Sequence, residues 1–150
     1  MNKILFVCHG NICRSPMAEF MMKKLVADNG TEAEFEIASA AVSAEELGNP
    51  VYPPARRILA DHGISTGNKT ARQMTPADYS YYDLLICMDN SNLRRMKQIC
   101  GGDPDDKMYR LMDFTDTPGE VSDPWYSGDF QTTWDDISRG LQALLKQITP

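Results

Sequence analysis

Cys8, Arg14 and Ser15 fall in one short stretch, Cys8-His9-Gly10-Asn11-Ile12-Cys13-Arg14-Ser15, with five residues between the sulfur and the guanidinium. A cysteine thiolate is a strong nucleophile. A guanidinium can hold two oxygens of a tetrahedral oxyanion and keep hold as the centre becomes trigonal-bipyramidal. Gly10 and Asn11 both tolerate positive φ, which such a loop needs to turn its N–H groups toward one point. Together these groups describe a cradle for a phosphate dianion with a reactive sulfur at its base. Ser15 is near enough to donate a hydrogen bond to that sulfur and help it leave again. Without this chemistry Cys8 is a core thiol, Arg14 a surface charge and Ser15 a helix cap, and the Gly-Asn pair and the Cys–Arg spacing go unexplained.

Such a cradle needs a strand to deliver the cysteine and a helix N-terminus to face the anion. Residues 4–7, Ile-Leu-Phe-Val, are a short apolar run that suits a buried parallel strand. Ser15-Pro16 predicts a helix start, with Ser15 as N-cap and Pro16 at the first helical position. Met17, Phe20, Met21, Lys24 and Leu25 continue it at helical spacing toward Gly30. A second strand is expected over 34–38, and a helix from Pro53-Pro54 through Leu59 to Gly63. Thr75-Pro76 opens a short helix before a third strand at 84–88. A helix over 91–99 then runs to Gly101-Gly102, and 109–112 reads as a fourth strand. Residues 115–128 carry Pro118, Gly119, Pro124 and Gly128 and read as a loop, long enough to suggest a function. The last helix places Phe130, Trp134, Ile137, Leu141, Leu144, Leu145 and Ile148 on one face. Strands alternating with helices predict an α/β fold with a parallel, doubly wound sheet in a single domain over 1–150. Ligands in such sheets sit beyond the carboxyl ends of the strands, where residues 8–15 fall.

Composition narrows the partners. A net charge of −6 over 150 residues argues against nucleic acid, whose backbone calls for a basic footprint. A small phosphate ligand is unaffected, because local donors set the field inside a pocket. No apolar run is long enough for a membrane span, and the N-terminal run is too short for a signal-peptide core, so a cytoplasmic location is expected. The four cysteines, Cys8, Cys13, Cys87 and Cys100, show no Cys-x-x-Cys spacing, and only His9 and His62 accompany them. Neither a zinc site nor a disulfide framework is indicated. Cys87, inside Leu84-Leu85-Ile86-Cys87-Met88, reads as a small buried hydrophobe.

The stretch from Val7 to Glu19 resembles the active-site signature of the low-molecular-weight protein tyrosine phosphatases. The resemblance continues through Ser39-Ala40-Ala41, Gly48-Asn49-Pro50, Ala71-Arg72-Gln73, residues 87–93 and Asp123-Pro124-Trp125-Tyr126. It implies a three-layer fold, a doubly wound four-stranded parallel sheet with helices on both faces. It also implies hydrolysis of phosphotyrosine monoesters through a cysteinyl-phosphate intermediate. Cys8 would be the nucleophile in a phosphate-binding loop from Cys8 to Ser15, Arg14 the phosphate ligand and Asp123 the general acid; on spacing alone Asp123 reads equally as a turn residue before Pro124. Asn11, Ser15 and Ser39 would support the loop. Trp125 and Tyr126 would wall the slot, with His9, Glu45 and Glu46 on its rim. Neither metal nor cofactor is required. The partner implied is a phosphotyrosine-bearing protein, with a cognate tyrosine kinase as a further candidate and a monomeric state expected.

Some positions depart from the family's pattern. Lys69 stands where a histidine is often found, three residues before Arg72, and Glu45 and Glu46 stand where an aromatic rim residue is common. Cys8 and Cys13 match a pair that in the family can close a reversible disulfide under oxidant. Ile12 goes with the tyrosine-specific branch, whereas a threonine there goes with phosphoarginine phosphatases. Arsenate reductases of the same fold need two relay cysteines. Cys87 sits near the first such position, but Arg94 lies seven residues on and Cys100 comes later, past a helix. A catalytically dead phosphotyrosine-binding module would ordinarily lack Cys8 or Asp123, and a thiol redox sensor has no need of Arg14 or Asp123.

Overall fold

The computed structural model describes residues 1–149. Its centre is β1 (Asn2–Cys8), in which Ile4, Leu5, Phe6 and Val7 are all fully buried. Alternate side chains of a strand point to opposite faces. Ile4 and Phe6 accordingly join one apolar cluster, while Leu5 and Val7 join another. Burial on both faces is what a continuous apolar run demands, and it places β1 inside the sheet. β2 (Phe35–Ala41) pairs with one edge of β1 and β3 (Leu84–Cys87) with the other, both parallel. β4 (Met108–Arg110) adds to β3, giving the order β2-β1-β3-β4.

Helices α1 (Arg14–Asp28), α2 (Pro53–Asp61) and α6 (Phe130–Ile148) supply the first cluster through residues such as Met17, Leu59 and Ile137. Between them, α3 (Pro76–Tyr81) and α4 (Asn90–Cys100) supply Tyr79 and Met96 to the second. The fold is thus the three-layer α/β sheet expected. Winding reverses between β1 and β3, so the loops leaving their carboxyl ends diverge and open a crevice. Cys8 ends one strand and Cys87 the other.

Several boundaries differ from those predicted. α1 begins at Arg14, with Cys13 at the cap position and no side chain capping it. Ser15 therefore lies inside the first turn, and its hydroxyl faces the loop instead of capping the helix. β2 extends to Ala41 because it pairs with β1 along the whole length, from Asn2 opposite Phe35 to Cys8 opposite Ala41. β4 stops at Arg110, since Leu111–Phe114 winds into a 3-10 turn that buries Leu111 and Met112. The expected loop over 115–128 contains a four-residue helix, α5 (Pro124–Ser127), for which Asp123 is the N-cap. Among the described residues no helix is long and apolar enough to cross a membrane.

Candidate active site

The loop between β1 and α1 is held by its carbonyls. Val42 N–H donates to Cys8 O at 3.0 Å, Ser43 N–H and Oγ donate to His9 O at 3.1 and 3.0 Å, and Tyr52 N–H donates to Ile12 O at 2.9 Å. The N–H groups of Gly10 through Arg14 make no hydrogen bond to any acceptor among the described residues. Fastening the carbonyls outward leaves these donors for a ligand, and buried or half-buried N–H groups need one. Asn11 takes the left-handed conformation at φ 59°. Gly10, expected to share that conformation, does not adopt positive φ. What it contributes is room: a Cβ there would sit 3.2 Å from Glu46 Cγ.

Beneath the loop the hydrogen bonds run in one direction. Asn11 Nδ2 donates to Ser15 Oγ at 2.8 Å and to Ser39 Oγ at 2.9 Å, using both amide protons. Asn11 Oδ1 accepts from Arg72 N–H at 3.2 Å. Ser39 must then point its own proton elsewhere, and Oγ donates to Glu19 Oε1 at 2.6 Å. Ser15 Oγ lies 3.0 Å from Cys8 Sγ and 3.5 Å from Ala40 O: a Cys8 thiol donates to Ser15 Oγ, whose proton then goes to Ala40 O, whereas a Cys8 thiolate accepts that proton instead. Ser15 N–H adds a second donor to the sulfur at 3.4 Å. Glu19, only 5% exposed, also meets Lys23 Nζ at 2.6 Å and Lys69 Nζ at 3.8 Å. Lys69 Nζ donates to Ser39 O at 2.9 Å. Burial pushes the Lys69 ammonium below its ordinary range, and the charge of Glu19 offsets this only in part.

Arg14 is buried beside the cavity. Nη1 donates to Asp89 Oδ2 at 2.9 Å and to Val121 O at 3.0 Å, and Nη2 lies 3.4 Å from Asp123 Oδ2. Burial alone would lower the guanidinium, but Cys8, Asp123 and Asp89 raise it above its usual value. The N-cap bonds aim both carboxylates: Asp89 Oδ1 accepts from Asn92 N–H at 2.8 Å, and Asp123 Oδ1 from Trp125 N–H at 3.1 Å. One oxygen of each is tied to its helix and the other is turned to Arg14. A cavity of about 420 Å³ is lined by Cys8, Ile12, Cys13 and Arg14 together with Trp125 and Tyr126. Trp125 rests on Tyr52, ring centroids 4.9 Å apart, whereas Tyr126 projects and is 86% exposed.

A family model described as low molecular weight phosphotyrosine protein phosphatase matches residues 3–150. The chain belongs to that family. The low molecular weight phosphotyrosine protein phosphatase of Gallus gallus is 39% identical over 98% of this chain and 96% of its own length. The low molecular weight protein-tyrosine-phosphatase YfkJ of Bacillus subtilis (strain 168) is 35% identical over 99% of this chain and 96% of its own length. The crystal structure of YfkJ superposes with a TM-score of 0.95, covering 99% of this chain and 94% of that one. A Drosophila arginine phosphatase, 27% identical, superposes at 0.90 and covers 99% of this chain and 98% of its own. The same fold is thus found both in proteins named tyrosine phosphatases and in one named an arginine phosphatase.

In this phosphatase the residues singled out in the sequence gather around one cavity: Cys8, His9, Gly10, Ile12, Cys13, Arg14, Glu45, Glu46, Asp123, Trp125 and Tyr126 all line it. Asn11, Ser15 and Ser39 lie just beneath. Cys8 and Cys13 are both free thiols. Burial, then the charge of Cys8, pushes the Cys13 thiol up to about 12. Cys87 is fully buried in β3 and burial pushes its thiol to about 12 as well, the behaviour of a core hydrophobe. Sequence reasoning missed Asp89, Glu19 and Tyr52. Asp89 and Glu19 stand inside quoted motifs, and Asp89 precedes a helix start, but nothing local says that either reaches a residue far off in the chain. Tyr52, before Pro53-Pro54, gives no signal of its contact with Trp125.

Proposed function

We propose that this phosphatase hydrolyses phosphotyrosine on proteins with Cys8 as nucleophile, Arg14 as phosphate ligand and Asp123 as general acid and base. The observation that carries the reading is the position of Cys8 Sγ under the donors of Ser15, within a loop whose N–H groups have no protein acceptor. A phosphate dianion entering the cavity gains those N–H groups together with a guanidinium held by Asp89 and Val121 O. Cys8 Sγ attacks phosphorus, the bond to the phenolic oxygen breaks, and Asp123 passes its proton to that oxygen as tyrosine departs. As carboxylate, Asp123 then takes a proton from water while the water oxygen attacks phosphorus. The S–P bond breaks, and Cys8 leaves as a thiolate received by the Ser15 hydroxyl and N–H.

Depth and lining favour tyrosine. Ile12 packs with Ala71, Tyr52 and Phe130, offering hydrocarbon to an aryl ring where a hydroxyl would serve a guanidino group. Trp125, resting on Tyr52, adds an aromatic face to the same cavity. With a peroxide as oxidant, the Cys8 thiolate is proposed to become a sulfenic acid, which the Cys13 sulfur then attacks, losing its proton and expelling water as the protecting disulfide closes.

Hydrolysis of p-nitrophenyl phosphate tests the assignment. Cys8→Ser is expected to abolish turnover, and Asp123→Ala to slow it by roughly 10²–10⁴-fold. Activity surviving in Cys8→Ser would sink the mechanism.

A further inference from the structure

The upper wall of the cavity carries two carboxylates that the chemistry of the phosphate does not use. Glu45 and Glu46 both line it. Their segment is fixed to the loop after β1 and to Ala71: Ser43 N–H donates to His9 O, Glu45 N–H to Ser43 Oγ at 3.4 Å, and Gly48 N–H to Ala71 O at 3.0 Å. Glu46 is packed so closely over Gly10 that a Cβ would crowd it. This approach holds Glu46 against the loop, so its place on the wall is built into the packing.

The charges of the cavity are unevenly shared. Among the described residues Arg14 is the only lysine or arginine lining it, and that guanidinium is already engaged by Asp89 and Asp123. Glu45 meets His9 Nε2 at 3.0 Å, a half-exposed contact that carries charge only when the histidine is protonated. Glu46 accepts from the neutral amide of Asn49 at 2.6 Å. One guanidinium held between two carboxylates therefore faces a cavity whose lining also carries Glu45 and Glu46 and no further lysine or arginine among the described residues. Anionic side chains beside the phosphotyrosine would be repelled there. A lysine or arginine on the substrate would find Glu45 and Glu46 within reach while its phosphate sits on the loop.

We infer that the rim selects phosphotyrosine flanked by basic residues, with Glu45 and Glu46 as the specificity-determining side chains. This rests on the phosphatase reading above and names the class of protein substrate it takes. Each contact is solvent-exposed, so the discrimination is modest and screened by salt.

The test compares kcat/KM for two phosphotyrosine peptides, identical except that lysines or glutamates flank the phosphotyrosine. With the wild type at low ionic strength the lysine peptide is expected to lead by roughly 5–10-fold, shrinking to under about 2-fold near 1 M salt, where the screening length is about 3 Å. Glu45→Gln/Glu46→Gln should bring the ratio near one, and Glu45→Lys/Glu46→Lys should invert it. Circular dichroism confirms that the surface variants fold. A wild-type ratio near one, or one that the substitutions leave untouched, overturns the inference. Hydrolysis of p-nitrophenyl phosphate by the wild type separates the two failures, since an enzyme inactive on that compound fails the phosphatase reading itself.

Discussion

Asn11 concentrates the demands of the loop in one side chain. It must adopt φ 59°, which asparagine tolerates better than most residues, and its amide must orient Ser15 and Ser39 while receiving Arg72 N–H. Asn11→Ala removes these bonds inside a buried network and leaves a residue less suited to the left-handed region. With about 0.5–1.5 kcal/mol for each of the three hydrogen bonds and about 1 kcal/mol for the backbone, a loss of roughly 2.5–5.5 kcal/mol is expected from urea denaturation. The Ser15 hydroxyl, no longer receiving a proton from Asn11, becomes free to turn from Cys8. Turnover should fall by about 10–100-fold with a smaller change in KM, because the sulfur loses an oriented donor while the loop's other N–H groups remain. An unchanged kcat would show that the direction of these hydrogen bonds does not reach the sulfur. Glu19 ends the same chain, and its negative charge is balanced by Lys23 and Lys69. A lysine can take the position where a histidine was expected because a carboxylate and a carbonyl, Glu19 and Ser39 O, are there to receive its protons.

At the scale of elements, the active site depends on contacts far from it. α6 packs against the 3-10 turn Leu111–Phe114, and Gly140 permits the approach: a Cβ there would lie 2.6 Å from Leu111 Cγ. Helix propensity alone would make Gly140→Ala stabilising by about 1 kcal/mol. Overpacking against fully buried Leu111 costs about 1–3 kcal/mol and should win, giving a net loss of up to about 2 kcal/mol in urea denaturation. Since that turn leads into the segment carrying Val121 and Asp123, kcat should drop with the stability. This contact was not legible in the sequence, where Gly140 is an unremarked residue of a helical pattern and Leu111 belonged to an expected strand. The sheet itself was legible, because residues 4–7 and 84–87 are apolar in the way that only strands buried on both faces require. So was the loop, whose proposed nucleophile and guanidinium are close in sequence. What escaped were partners distant in the chain. Asp89 meets Arg14 across 75 residues, and neither helix capping nor periodicity encodes such a meeting. Ser15-Pro16 misled for a related reason: the serine has a cap's composition, but its hydroxyl has a nearer use at Cys8.

For the molecule as a whole, the loop from Cys8 to Ser15 is a junction as well as a candidate site. Through Val42, Ser43, Tyr52 and Arg72 it is hydrogen-bonded to the segments after β2 and before α2 and α3, and through Arg14 to Asp89 and Val121. Filling it should therefore stabilise the entire fold, in proportion to affinity. A ligand that binds only the native state adds about 2.7 kcal/mol at one hundred times its Kd, and for a chain of this size each kcal/mol moves Tm by about 2–4 °C. Inorganic phosphate at that excess is expected to raise Tm by roughly 5–10 °C. A net charge of −6 means that salt alone relieves some self-repulsion, so sodium chloride at equal ionic strength is the reference. The form of the dependence identifies the cause. Site binding grows with the logarithm of phosphate concentration above Kd, whereas general exclusion of phosphate from the surface grows linearly. Cys8→Ser keeps the loop's N–H groups and Arg14 and should keep the logarithmic response while losing turnover, separating binding from attack. A Tm that follows sodium chloride alone, or rises only linearly, would mean that the unpaired donors of Gly10 through Arg14 do not hold phosphate.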